Sequence, residues 1–85
     1  MNILDILVLR LSAKGFMPFE IVKLINDCVD IIQEGGLFSR HLLNIKLKTI
    51  GWKPQTIDDI TYDLLMAYLA QSSGYKVIRL PLYSN

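Results

Sequence analysis

Eighty-five residues allow one domain with a core too small to hide every apolar side chain. A hydrophobic content of 52%, against roughly 45–50% on a scale that also counts Gly, leaves apolar surface for another chain. A net charge of +1 excludes a whole-protein field that steers the molecule to nucleic acid or an anionic membrane. The single cysteine, Cys28, excludes an internal disulfide and leaves three ligands missing from a structural zinc site, so the default setting is reducing and cytoplasmic.

The opening run MNILDILVLRL carries Asp5, lacks a basic leading region and has no small-residue cleavage site after it, so it reads as a buried helix and not as a signal peptide. No stretch reaches the roughly 20 apolar residues that span a bilayer. Glycines punctuate the chain regularly: Gly15, Gly35, Gly51 and Gly74 each follow a periodic apolar stretch, where glycine can take the left-handed conformation that ends a helix. The expected architecture is therefore mainly α: a compact four-helix domain with helices at about 3–14, 18–34, 40–50 and 57–72 and a short extended C-terminal segment at 75–80. No linker, repeat or low-complexity stretch divides it.

In the first helix Asn2 is the expected N-cap and Met1 is placed to staple against Ile6, and apolar positions nearly surround it. The second starts at Pro18, a favourable first helical residue, with Phe16 stapling to Ile21. Its recurrent Ile21, Ile25, Cys28 and Ile32, flanked by Val22, Leu24, Val29 and Ile31, make a wide apolar face and mark it as the central helix. The fourth is expected to be capped by Thr56, with Asp58 and Asp59 in its first turn and a buried stripe of Ile57, Ile60, Leu64, Leu65, Tyr68 and Leu69. After Gly74 the run YKVIRLPLYSN favours an extended arm that Pro81 confines to an edge.

The third helix carries the sharpest functional question. Ser39 is its expected cap and Phe38 its staple to Leu43. At about 100° per residue, Arg40, His41, Asn44 and Lys48 fall on one side and Leu42, Leu43, Leu47 and Ile50 on the other. Arg and Asn suit base edges, and Lys46 and Lys53 can add phosphate contacts from either end. The charge is local: residues 1–37 hold three basic and five acidic residues, 38–55 four basic and none acidic, and 56–85 two basic and three acidic. Against a nucleic-acid role, the preceding helix, which in a helix-turn-helix crosses the DNA backbone, bears Asp27, Asp30 and Glu34 on its exposed side. An amphipathic helix balancing acidic neighbours is the simpler account.

An enzyme has less to stand on. Cys28 lies on the apolar stripe, where a thiol is normally inert. Asp59 and Asp63, with Tyr62 and His41 as helpers, lack the further ligands that a metal or acid–base site needs. Trp52 follows a helix-ending glycine and reads as a residue folded back on its helix, with an aromatic anchor for a partner as the alternative. The resulting expectation is a non-enzymatic interaction or regulatory module without cofactor or membrane. It is expected to be a homodimer or another protein's partner, with Trp52, Tyr75, Val77, Ile78 and Leu80 as interface residues. The alternative is a nucleic-acid-binding regulator using Arg40, His41, Asn44, Lys46, Lys48 and Lys53.

Overall fold

A computed structural model describes residues 2–35 and 39–71. These form four helices in chain order: α1 (Ile3–Ala13), α2 (Pro18–Gly35), α3 (Arg40–Thr49) and α4 (Asp59–Gln71). No strand occurs among the described residues. The mainly α, four-helix architecture is as the punctuation and periodicity indicate. The expected staples from Met1 and Phe38, the turn at Gly36–Phe38, the helix end at Gly74 and the arm at 75–80 lie outside the described residues.

The capping chemistry explains where the helices begin. Asn2 Oδ1 accepts from the Asp5 N–H at 2.8 Å, and Ser39 Oγ from the Leu42 N–H at 3.2 Å, each satisfying a donor that has no partner within its helix. At α2 the side chain of Glu20 reaches back to accept from the Met17 N–H at 2.8 Å, which holds Met17 before the Pro18 that opens the helix.

Two helices end in the same way. Gly15 (φ +99°) and Gly51 (φ +111°) both take the left-handed conformation. After α1, the N–H of Gly15 bonds to the Ser12 carbonyl at 3.0 Å and that of Phe16 to the Leu11 carbonyl at 3.2 Å. After α3, the N–H of Gly51 bonds to the Lys48 carbonyl at 3.1 Å and that of Trp52 to the Leu47 carbonyl at 3.0 Å. This paired closure folds the residue after glycine back onto its own helix. The two residues so folded, Phe16 and Trp52, meet edge to face with ring centroids 6.2 Å apart, a favoured aromatic geometry.

The start of α4 differs from expectation. Thr56 is buried and its hydroxyl donates to the Lys53 carbonyl, so it closes the preceding turn. Asp58 is the cap: its Oδ1 accepts from the Thr61 N–H at 2.7 Å, and the helix begins at Asp59. A carboxylate both caps and opposes the positive helix end, which gives it the advantage over the hydroxyl two residues earlier.

The core is built around α2, which contributes Ile21, Val22, Leu24, Ile25, Cys28, Val29 and Ile32, all under 5% exposed. Leu7 and Leu11 from α1, Leu43 and Leu47 from α3, and Ile57, Leu65 and Leu69 complete it. Fully burying one such side chain is worth about 1.5–3 kcal/mol, so this cluster dominates the favourable side of folding. No helix among the described residues is long and apolar enough to cross a membrane.

Candidate functional site

The basic helix α3 is rotated relative to its sequence-based placement. Leu43 and Leu47 point inward as expected, but Leu42 and Ile50 are 47% and 53% exposed, and Asn44 is only 5% exposed. The inward turn of Asn44 has a specific cause. Its Nδ2 donates to the Ile57 carbonyl and its Oδ1 accepts from the Ile57 N–H, both at 2.9 Å. A side-chain amide presents one donor and one acceptor in the same plane as a peptide group, so Asn44 pairs fully with a buried residue in the α3–α4 connection. That connection has no regular secondary structure to satisfy its own backbone, and a buried peptide group must find partners. Asn44 is therefore a structural clamp, which removes it from the outer, base-reading face.

The remaining members of the basic group divide. Arg40 Nε bonds to Asp59 Oδ1 at 2.5 Å, so the first charge of α3 is matched by the first residue of α4. His41, Lys46, Lys48 and Lys53 are exposed. Arg40, His41 and Lys48 line a cleft of about 300 Å³ together with Asn44, Pro54 and Gln55. Gln55 has φ +59°, a left-handed conformation uncommon for a residue other than glycine, and the connection reverses there. The exposed surface of α3 thus mixes Leu42, Ile45 and Ile50 with Lys46, Lys48 and Thr49.

Trp52 and Asp27 make a local cluster of their own. The indole Nε1 donates to Asp27 Oδ2 at 2.8 Å, and Lys23 bonds to the same oxygen at 2.9 Å while lying 5.3 Å from the indole ring centroid. The ring is held by a hydrogen bond, a cation and the Phe16 edge, and this fixes Trp52 as a link between α2 and the end of α3. Asp27 consequently serves α2 and Trp52, and it is Asp59 that balances a cation of α3. Of the other expected interface residues, Tyr75, Val77, Ile78 and Leu80 lie outside the described residues.

Chemically reactive groups are muted. Cys28 is 1% exposed, and burial, with the nearby charge of Asp27, pushes its thiol far up from the usual range, so its nucleophilic thiolate is suppressed. Among the described residues no three His, Cys, Asp or Glu side chains come together as a metal site, and no buried side-chain nitrogen or oxygen lacks a hydrogen-bond partner.

The surface that sequence reasoning missed lies between α1 and α4. Leu9 and Ile60 are 56% and 55% exposed and Ile6 is 40% exposed. With Arg10, Ala13, Lys14 and Leu64 they line an open groove of about 520 Å³. The helical period puts Ile60 in the buried stripe of the fourth helix. It is instead on the outside, because Leu65 and Leu69 with Ile57 supply the inward contacts. The available signal was the near-complete apolar circumference of the first helix, since a helix apolar all round must be covered all round.

A charged cluster fixes the two walls of this groove. Asp58 Oδ2 bonds to Arg10 Nη2 at 3.0 Å and to Lys14 Nζ at 2.5 Å, and Arg10 Nε donates to the Thr61 hydroxyl at 3.2 Å. Partial burial alone would raise the Asp58 carboxyl. The hydrogen bonds from Lys14, the Thr61 N–H, Arg10 and the Thr61 hydroxyl outweigh it and hold this carboxyl far below the usual carboxylate range. The C-terminal end of α1 is thereby locked to the N-terminal end of α4. No protein family matches the chain, and comparison with curated proteins and with solved structures gives no significant match.

Proposed function

We propose that this chain is a small non-enzymatic protein-interaction module that self-associates through the outer face of α1 and α4. The observation that carries the reading is the groove with apolar walls on both sides, in which Ile6, Leu9 and Ile60 remain exposed. Scattered apolar residues on a surface need no explanation, but a contiguous set on two adjacent helices points to a partner. The face is modest. Two helices each about 10 Å wide and a contact length near 15 Å present roughly 300 Å², well under the about 800 Å² per partner of a standard interface, so the association is weak and transient.

Nucleic-acid binding through α3 stands second. Its support is the exposed set His41, Lys46, Lys48 and Lys53; Arg40 is matched by Asp59 and Asn44 is committed to Ile57, which weakens both charge and base readout. Sedimentation velocity over a wide concentration range tests the first reading: the native chain is expected to shift toward dimer at high concentration and a Leu9→Lys, Ile60→Lys variant to remain monomeric. A native chain that stays monomeric throughout overturns self-association. Titration of duplex DNA at low salt, where phosphate contacts bind most tightly, is expected to give no binding, and salt-sensitive binding lost in an Arg40→Ala, Lys48→Ala variant would favour the second reading.

A further inference from the structure

The outer surface of α3 joins apolar and cationic side chains, and no residue between 38 and 55 is acidic. We propose that this surface docks the protein on an anionic lipid bilayer, as a peripheral contact separate from association through α1 and α4. Such contact needs no spanning helix. It departs from the expectation of no membrane partner, which rests on net charge and on the length of apolar runs.

The placement follows from the apolar residues that α3 buries. With Leu43 and Leu47 inward, a period of about 100° per residue puts Ile45 on the opposite side. Leu42 and Thr49 flank it on one side and His41 and Lys48 on the other, all exposed. Lys46, also exposed, lies beyond Leu42. Leu42 and Ile45 thus form an apolar centre, 47% and 48% exposed, with a lysine at either margin. Lysine stems lie along apolar surface while the ammonium stays in water, so both lysines reach the headgroups as the centre enters the acyl boundary. Ile50 and Lys53, exposed at and past the helix end, continue the same mixture.

The cleft beside Ile45 adds a seat for one headgroup phosphate. Its volume is about 300 Å³ and no acidic side chain lines it. Lys48 supplies charge, and His41 and Gln55 supply N–H donors. Arg40 adds little, because its charge is already matched by Asp59.

Other occupants fit less of this surface. A second copy docking face to face sets Lys46 and Lys48 against their own counterparts, and like charges repel. Nucleic acid engages the lysines through its phosphates but offers nothing apolar to Leu42 and Ile45. A helical protein partner docks in a groove, whereas α3 buries only Leu43, Asn44 and Leu47 and stands out as a ridge. An anionic bilayer matches the charge, the apolar centre and the convex shape together.

The test is cosedimentation of the full chain with phosphatidylcholine vesicles, with and without about one third phosphatidylserine. Binding is expected to the anionic vesicles alone and to fall as salt is raised. No binding to them, or binding indifferent to salt and lipid charge, overturns the proposal. Lys46→Gln with Lys48→Gln should weaken binding roughly 25-fold, at about fivefold for each cation near the surface; undiminished binding overturns the proposal. Leu42→Ser with Ile45→Ser should weaken it severalfold while circular dichroism shows the helices intact. Unchanged binding by that folded variant overturns the proposal and leaves a general polyanion contact, the kind that nucleic acid makes. Soluble glycerophosphoserine should not release the chain, and release would overturn the bilayer as the ligand in favour of a free phosphoester. Leu9→Ser with Ile60→Ser should leave vesicle binding unchanged, and a loss there overturns the proposal by moving the contact to α1 and α4. Only this last variant alters the self-association face, so failure of one reading is distinguishable from failure of the other.

Discussion

On α2 the apolar residues other than Phe19, which is 71% exposed, gather on one broad face, and that face is almost completely covered. On α1 and α4 they encircle the helix, so that burial of Leu7, Leu11, Leu65 and Leu69 leaves Ile6, Leu9 and Ile60 outside. The α2–α3 side is also where polar groups are matched inside the domain, through the Asn44 clamp on Ile57 and the Trp52–Asp27 bond. The α1–α4 side is held by the Arg10, Lys14 and Asp58 charges and leaves Ile6, Leu9 and Ile60 to solvent, as the outer surface of α3 leaves Leu42, Ile45 and Ile50. The difference separates two uses of hydrophobicity. A segregated face specifies a core, and an excess around the circumference specifies a core plus a surface that gains by being covered.

The comparison can be broken within a single helix. Leu7 is 1% exposed and Leu9 is 56% exposed, so Leu7→Ala should cost about 2–5 kcal/mol by transfer and cavity terms, and Leu9→Ala under about 0.5 kcal/mol, as for other surface changes. Urea denaturation of both variants measures this directly; equal costs would mean that the outer flank of α1 is already covered in the free chain.

A slightly smaller loss is expected on the other side of the molecule. Asn44→Ala leaves both polar groups of Ile57 without partners in a residue that is 1% exposed. At roughly 1–3 kcal/mol for each buried group left unsatisfied, the total is about 2–4 kcal/mol, although the deleted side chain is polar and the helix gains in propensity. A shift in the urea midpoint no larger than that of an ordinary surface variant would show that water replaces the amide.

The charged lock between α1 and α4 should contribute less. Asp58→Ala removes the cap, worth about 1 kcal/mol, and two half-exposed ion pairs worth at most about 1 kcal/mol. Asp58→Asn keeps an acceptor for Thr61 and should lose only the ionic part. The sign with pH is fixed by the direction of the shift: the folded carboxyl is held below its unfolded range. Its contribution is therefore complete above about pH 4, near the unfolded value of about 3.9, and declines as pH falls toward the folded value. Thermal melts between neutral pH and pH 2 should show the native chain losing more stability than the Asn variant in that acid window. Parallel losses would place the acid-sensitive group elsewhere.

Much of this architecture is legible in the sequence. Asn2 and Ser39 announce helix starts, Gly15 and Gly51 announce helix ends, and the spacing of Ile21, Ile25, Cys28 and Ile32 announces the central face; each is a local signal read by backbone geometry or by helical period. The placement of Phe16 and Trp52 after glycine was legible for the same reason, though their contact with each other was not. The error at Thr56 and Asp58 shows the limit of local reasoning, since both residues are competent caps two positions apart.

What the sequence by itself determined is the number, order and type of the elements and the existence of an apolar surplus, because caps, glycine ends and periodicity act within a few residues. Only the tertiary structure decided the rotation of α3, which turns on a bond between Asn44 and a backbone group thirteen residues away, and the location of the surplus. Periodicity tells which side of a helix is apolar, but for α1 and α4, apolar on nearly every side, it cannot choose the side that faces inward. That choice follows from packing against α2 and from the Arg10, Lys14 and Asp58 lock, contacts between residues some forty or more positions apart that no local pattern encodes.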